Sequence, residues 1–145
     1  MEIIRLENIK IVDKVTDWKD SINQSAGLLL DSGYIEQTYI DAIFASTEAN
    51  GAYYVLAPEI ALPHASADLG VKESQISLLV VKESFKFSEE SFDVRLVFTL
   101  ASKDKEAHMK YLKVLSALFS DKSLVDTLIS ANDSKVIYDL LNSLQ

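Results

Sequence analysis

Two apolar segments in the middle of the chain place the strongest constraint on its fold. Residues 75–81 read QISLLVV and residues 93–101 read DVRLVFTLA, so both are almost continuously apolar. A strand with one face in water alternates apolar and polar residues, whereas an unbroken apolar run is typical of a strand buried on both faces. The sequence therefore predicts a sheet with helices packed against both of its sides.

Apolar residues recur at helical spacing on either side of these two strands. The first helix is predicted to start after Thr16 as its N-cap and to end at Ser32-Gly33, where helix-stopping residues occur. The last helix is expected to be capped by Asp133 or Ser134. Together the stripes predict five helices, at about residues 17–31, 36–49, from 105 onward, 121–130 and 133–144.

Further strands are predicted outside the two apolar segments. Residues 2–12 are rich in Ile and Val, and residues 53–62 look like extended, buried chain that ends at Pro63. Residues 85–87 are interpreted as a short edge strand, followed by a turn at 88–91. Several strands follow one another directly, so we expect an α/β fold, with a mixed β-sheet sandwiched between helices on both faces, in one domain of residues 1–145.

Composition excludes several functional classes. A net charge of −8 opposes binding to nucleic acid or to an anionic membrane, because both require a basic surface. The chain has no cysteine, which removes disulfides, thiolate nucleophiles and thiolate zinc sites. No apolar run approaches the ~18 residues of a membrane span, and the N-terminus lacks the layout of a signal peptide. We expect a soluble, cytoplasmic protein.

His64 is the first candidate for chemistry. It is one of only two histidines, and it follows the apolar residues 60–62 and Pro63 at the point where the predicted strand ends. The next residues, ASADLG, are small and polar, so the imidazole is expected at the mouth of a cleft. An imidazole is a good nucleophile near neutral pH, because its unperturbed pKa is about 6.5.

His108 is the second candidate, in the first turn of the helix that starts at Lys105. The N-terminus of a helix attracts anions, and an imidazole there can add a hydrogen-bond donor. The alternative is that His108 only packs within its apolar stripe, which includes Leu112 and Leu115. The sequence leaves both interpretations open.

Four kinds of site could use two histidines. Zinc is disfavoured because two ligands are too few, and no cofactor or metal is expected. Cleavage of RNA by a histidine pair is disfavoured on so acidic a chain. A serine or threonine activated by His64 would need an orienting carboxylate such as Glu59 or Asp68, but no nucleophile elbow is present. The remaining candidate is His64 as a covalent phosphoryl carrier.

The residues that carry these features resemble a known family. IALPH at residues 60–64, QISLLVVKESFKF after it, VRLVFTLAS at 94–102 and HMKYLKVLSALF from His108 are similar to the enzyme IIA components of the bacterial phosphoenolpyruvate-dependent sugar phosphotransferase system, mannitol/fructose type. The stretch GAYYVLAPEIALPH looks most like the ascorbate-type subgroup. The resemblance covers nearly the whole chain.

This resemblance implies a role for each histidine and for the partners. His64 is implied to be the phosphorylated residue and His108 the residue that stabilises the phosphate. The implied donor is the small phosphocarrier protein HPr, and the implied acceptor is a cysteine on a IIB component. Mannitol and fructose members commonly carry an arginine on the second helix, whereas this chain has Ser46-Thr47-Glu48 there, and Ala65 replaces the glycine that often follows the histidine.

Two functional classes remain open on the sequence. One is a carrier that feeds phosphate to a carbohydrate transporter; the other is a regulatory module of the same fold, in which the phosphohistidine controls a protein interaction. The transported sugar and a homo-oligomeric state are also left open. Apolar residues next to the His64 loop, such as Leu62 and Leu69, are expected to dock the partner.

Overall fold

The computed structural model describes residues 2–145, which form four strands and five main helices. The strands are β1 (Ile9–Val12), β2 (Glu59–Ala61), β3 (Gln75–Lys86) and β4 (Asp93–Ala101). The helices are α1 (Trp18–Asp31), α2 (Gln37–Asn50), α3 (Lys105–Phe119), α4 (Lys122–Ser130) and α5 (Ser134–Asn142). Two short 3-10 turns cover Leu6–Asn8 and Ala67–Leu69.

The four strands form one mixed sheet in the order β1-β3-β4-β2. The central pair, β3 and β4, is antiparallel, with Leu78 opposite Phe98. The two outer strands run parallel to their neighbours, β1 beside β3 and β2 beside β4. The predicted mixed sheet is therefore confirmed.

Helices cover both faces of the sheet, as the two apolar segments predicted. On one face, the Ser25 hydroxyl of α1 lies 2.8 Å from the Thr99 hydroxyl and donates to the Val97 carbonyl at 2.9 Å. On the other face, the Lys82 ammonium donates to carbonyls at the end of α4, at 2.8 Å to Ile129 and also to Ala131. Side chains of β3 pointing either way, such as Leu78 and Leu79, are fully buried.

The N-terminal prediction was too long, because only residues 9–12 of the predicted strand at 2–12 pair with the sheet. The amides of Ile3 and Ile4 donate instead to the side-chain oxygen of Asn142, at 2.6 and 3.2 Å. Thr16 is also not the N-cap of α1. That position belongs to Asp17, whose carboxylate accepts from the Asp20 amide at 2.8 Å.

Two predictions between residues 53 and 91 were wrong in part. Residues 53–56 turn rather than extend, beginning after Gly51 at φ +78°, and the side chains of Tyr53 and Leu56 are 45% and 74% exposed. Residues 85–86 are not a separate strand, because β3 continues through an irregularity and pairs Phe85 with Val94. The predicted turn is present, and the Ser91 hydroxyl accepts from the amides of residues 87 and 88.

The C-terminal helix is capped as expected, since the Asp133 carboxylate accepts from the Lys135 amide at 2.9 Å. None of the helices within residues 2–145 combines the length and the apolar character that crossing a bilayer requires.

Gly70 fixes the end of the loop that follows His64. Its φ is +132°, and a Cβ at this position would lie 2.7 Å from the Thr38 hydroxyl and 3.1 Å from the Tyr39 amide. Its carbonyl accepts from the Glu36 amide at 2.8 Å, which ties the loop to the start of α2. Gly70 therefore permits a close approach that no other residue allows.

We predict that Gly70→Ala lowers the free energy of unfolding by roughly 1–3 kcal/mol, because it combines an unfavourable φ with a steric clash. Gly27→Ala is the matched control: Gly27 lies inside α1, and a Cβ added there would meet no atom within 4 Å, so the change should raise stability by about 0.5–1 kcal/mol. Urea denaturation of the two variants checks both values. Equal stability of the two would contradict the close approach at Gly70.

Candidate active site

The fold brings the two histidines together at one edge of the sheet. Strands β2 and β4 are parallel, so their carboxyl ends lie side by side. His64 follows β2, and His108 lies in the first turn of α3, which follows β4. Their ring centroids are 5.7 Å apart, and both side chains are half-buried. The two histidines, which the sequence left as candidates for one shared site, therefore lie next to each other.

A local hydrogen bond sets the protonation pattern of His64. Its Nδ1 lies 2.7 Å from the Leu62 carbonyl oxygen. A carbonyl can only accept, so Nδ1 carries the hydrogen, and in the neutral ring the lone pair is then on Nε2. The structure thus assigns Nε2 as the nucleophilic nitrogen of His64.

The backbone on both sides of His64 is tied to Leu100 at the end of β4. The Leu100 amide donates to the Pro63 carbonyl at 3.1 Å. On the other side, the Tyr39 hydroxyl accepts from the Ala65 amide at 3.0 Å and donates to the Leu100 carbonyl at 2.5 Å. These bonds hold the imidazole in place before any partner arrives.

Tyr39 is a residue of the candidate site that sequence reasoning missed, because its position on the apolar side of α2 indicated only packing. Burial raises the pKa of its hydroxyl to about 12, so the group stays neutral and keeps the proton that it donates. One weak signal was present in the sequence, because a tyrosine on the buried side of a helix needs a hydrogen-bond partner for its hydroxyl. Tyr53 adds a second aromatic contact, with its ring 5.9 Å from that of His64.

His108 is held neutral by its surroundings. Burial lowers the pKa of its ring below the ordinary value of 6.5, and repulsion from the charged form of His64 lowers it further. Because the folded pKa is the lower one, the stability that His108 contributes is complete above about pH 6.5 and is lost as the pH falls through the folded value. The Ser102 hydroxyl lies 3.4 Å from His108 Nδ1, at the long end of hydrogen-bond distances.

The two histidines line an open cleft of about 680 Å³. The other lining residues include the hydroxyls of Ser46, Ser66 and Ser102 and the side chains of Lys103 and Lys105. Hydroxyl groups, ammonium groups and the N-terminus of α3 all favour an anion. Within residues 2–145, no three His, Asp or Glu side chains are grouped so that they could hold a metal ion.

The exposed apolar residues near the cleft differ in part from those expected. Leu69 lines the cleft and is 44% exposed, in agreement with the expectation. Leu62 is only 6% exposed and belongs to the core, because its side chain lies at the end of β2 on the buried side. Tyr53 also lines the cleft and is exposed, and Met109, which follows His108 in α3, is exposed as well.

Comparison with known proteins places this geometry in a family. Residues 2–144 match the family described as phosphoenolpyruvate-dependent sugar phosphotransferase system, EIIA 2. The chain belongs to this family. The resemblance seen in the sequence is therefore confirmed over nearly the full length of the chain.

Two relatives with different names are similar to this chain over almost its whole length. The mannitol-specific cryptic phosphotransferase enzyme IIA from Escherichia coli is 30% identical, with a TM-score of 0.88 over 97% of this chain and 96% of that one. The ascorbate-specific EIIA component from Shigella boydii is 28% identical over 94% of this chain and 90% of its own. The similarity thus extends to relatives named for mannitol and for ascorbate.

A third relative is a solved complex. The enzyme IIA for mannitol from Escherichia coli, in complex with its phosphorylated enzyme IIB, is 22% identical to this chain, with a TM-score of 0.84 over 97% of both chains. At this identity the likeness concerns the fold, which is the mixed α/β fold predicted from the sequence.

We predict that the ring of His108 titrates below pH 6.5, and that His64→Gln moves its midpoint upward. The substitution removes the repulsion from a charged His64, but burial, the larger cause, remains, so the midpoint should stay below the ordinary value. Proton NMR titration of the His108 ring in both proteins measures this. An unchanged midpoint in His64→Gln would show that the two rings do not interact.

Proposed function

We propose that this IIA component carries a phosphoryl group on His64, which it accepts from phosphorylated HPr and passes to a cysteine on a IIB component. The whole chain acts as one cytoplasmic domain in this proposal. The single observation that supports it most is the hydrogen bond from His64 Nδ1 to the Leu62 carbonyl, which leaves Nε2 as a nucleophile in the cleft wall. The IIB acceptor is of the mannitol/fructose or ascorbate type, and the carbohydrate is bound elsewhere in the transporter.

Both proposed transfer steps move the phosphoryl group directly from one side chain to the next, without a cofactor. The Nε2 lone pair of His64 forms a bond to phosphorus while the bond between phosphorus and the donor histidine of HPr breaks. In the second step the cysteine sulfur of IIB forms a bond to phosphorus, and the Nε2 lone pair is restored. Such transfers depend on positioning and on stabilisation of the phosphoryl oxygens.

The proposed role of His108 follows from its electrostatic environment. Before transfer its pKa is lowered, so the ring is neutral and does not repel a partner through charge. A phosphoryl group on His64, 5.7 Å away between ring centroids, brings negative charge, which raises the pKa of a neighbouring imidazole. His108 then gains a proton and donates to the phosphate.

Partners are proposed to dock on the apolar residues around the cleft. Tyr53, Leu69 and Met109 are exposed by 45%, 44% and 62%. Such residues favour a weak, reversible contact, which suits a protein that must meet a donor and an acceptor in turn. Transfer of the phosphoryl group to IIB distinguishes the proposed carrier role from a regulatory role, in which the phosphohistidine controls a protein interaction.

The first test is labelling. Incubation with phosphoenolpyruvate, enzyme I and HPr should add one phosphoryl group, seen as intact mass, that acid removes and base does not. His64→Ala should remain unlabelled, whereas His108→Gln, the control, should reach full labelling because His64 is intact. Full labelling of His64→Ala would contradict the proposed carrier.

The second test concerns His108. Removing one donor from a preorganised site costs on the order of 100- to 1,000-fold in rate. We therefore expect His108→Ala to slow single-turnover transfer from His64 to IIB by that factor, and His108→Gln, which retains a donor nitrogen, to slow it less. Melting curves of both variants serve as the control. A normal transfer rate with a lowered melting temperature in His108→Ala would make His108 a packing residue only.

A further inference from the structure

The second helix presents no positive charge to the cleft. Of Ser46, Thr47 and Glu48, only Ser46 lines it. The Thr47 hydroxyl is buried 2.6 Å from that of Tyr54, and the Glu48 carboxylate pairs with Lys19 at 2.9 Å. Any positive charge that stabilises a phosphoryl group on His64 therefore comes from another element.

The segment between β4 and α3 supplies that charge. Lys103 and Lys105 are the only lysine or arginine side chains among the cleft-lining residues in the described part of the chain. Neither ammonium group forms an ion pair within residues 2–145. On a chain of net charge −8, these two ammonium groups are therefore available to an anion in the cleft.

The backbone of this segment is fixed although its side chains are exposed. The Lys103 amide donates to the Ser74 hydroxyl at 2.8 Å. The intervening residue, Asp104, also lines the cleft and carries the opposite charge, but its carboxylate caps α3 by accepting from the Ala107 amide at 2.8 Å. Both lysines thus line the same cleft as His64 and His108, and both are exposed.

We propose that Lys103 and Lys105 provide positive charge, in addition to that of a protonated His108, that stabilises the phosphoryl group on His64. This inference rests on the proposed function. It assigns to the segment between β4 and α3 the positive charge that α2 does not present to the cleft in this chain. Both lysines are exposed, so water screens their charge, and each is expected to change a phosphate equilibrium by about two- to fivefold rather than by orders of magnitude.

The test is a phosphorus NMR titration of the phosphorylated protein. A nearby cation favours the dianionic form of the phosphoryl group, so its loss favours the protonated form. Lys103→Gln and Lys105→Gln should each raise the proton-binding constant of the group about two- to fivefold, and the double variant should raise it further. Transfer from phosphorylated HPr should slow in the same order.

Two controls isolate the local charge. Lys113→Gln makes the same change in net charge on the exposed side of α3, outside the cleft, and should titrate like the wild type. Lys103→Arg and Lys105→Arg keep the charge and should also titrate like the wild type. A packing effect would instead appear in the arginine variants.

The outcomes separate the two proposals. A wild-type protein that accepts no phosphoryl group contradicts the proposed function, and the inference with it. A labelled wild type whose glutamine variants titrate unchanged, or no differently from Lys113→Gln, overturns only the assignment of Lys103 and Lys105. A shift that also occurs in the arginine variants overturns it as well, because charge would not be the cause.

Discussion

The pairing of β2 with β4 is the contact on which the rest of the site depends. Only three residues of β2 take part, and the ladder is irregular at Glu59, which has a φ of +77°. An ion pair of 3.1 Å between Glu59 and Arg95 joins the two strands at this irregular point. Beyond β2, the bond from the Leu100 amide to the Pro63 carbonyl extends the connection up to His64. A short strand therefore places the histidine with a precision that a free loop would lack.

The same contact explains why the two histidines meet. Parallel neighbours end at one edge of the sheet, so residues that follow β2 and β4 lie close together although they are far apart in the sequence. The Leu100 amide donates a hydrogen bond to the Pro63 carbonyl, and its carbonyl accepts one from the Tyr39 hydroxyl, which in turn contacts Ala65. Leu100 is therefore linked to the backbone on both sides of His64. A shift in the register of β2 against β4 would move His64 relative to His108, although the local structure around each histidine would stay the same.

The sequence predicted the parts of the fold that depend on local pattern. The two apolar segments identified the central strands, and helical spacing located all five helices. The N-terminal strand was predicted too long because Ile-rich sequence at residues 3–4 is buried against Asn142 rather than in the sheet, a long-range contact with no local signal. Leu62 was expected to be exposed because it borders the loop, but whether a side chain at a strand end points inward depends on register.

The candidate site was predictable in its histidines but not in its supporting contacts. His64 and His108 stood out because they are the only two histidines of the chain, and the resemblance implied a role for each. Tyr39 was not identifiable as a site residue, since a stripe of α2 predicts burial and says nothing about which carbonyl a hydroxyl meets. The tautomer of His64 depends on the Leu62 carbonyl oxygen, only two residues away, but the sequence does not show that the ring turns back to meet it.

Burial lowers the pKa of His108, whereas the negative charge of a phosphoryl group on His64 would raise it, and this opposition makes the proposed transfer reversible. A cleft that held permanent strong positive charge would bind phosphate tightly and release it slowly, whereas a carrier has to do both. Here the imidazole of His108 has a lowered pKa while His64 carries no phosphoryl group, and Lys103 and Lys105 are exposed to solvent. In the proposed transfer, stabilising charge is therefore weak before the phosphoryl group arrives and increases when His108 gains a proton. An acidic chain with one modest, adjustable cationic site meets that requirement better than one with a buried, permanently charged side chain facing His64.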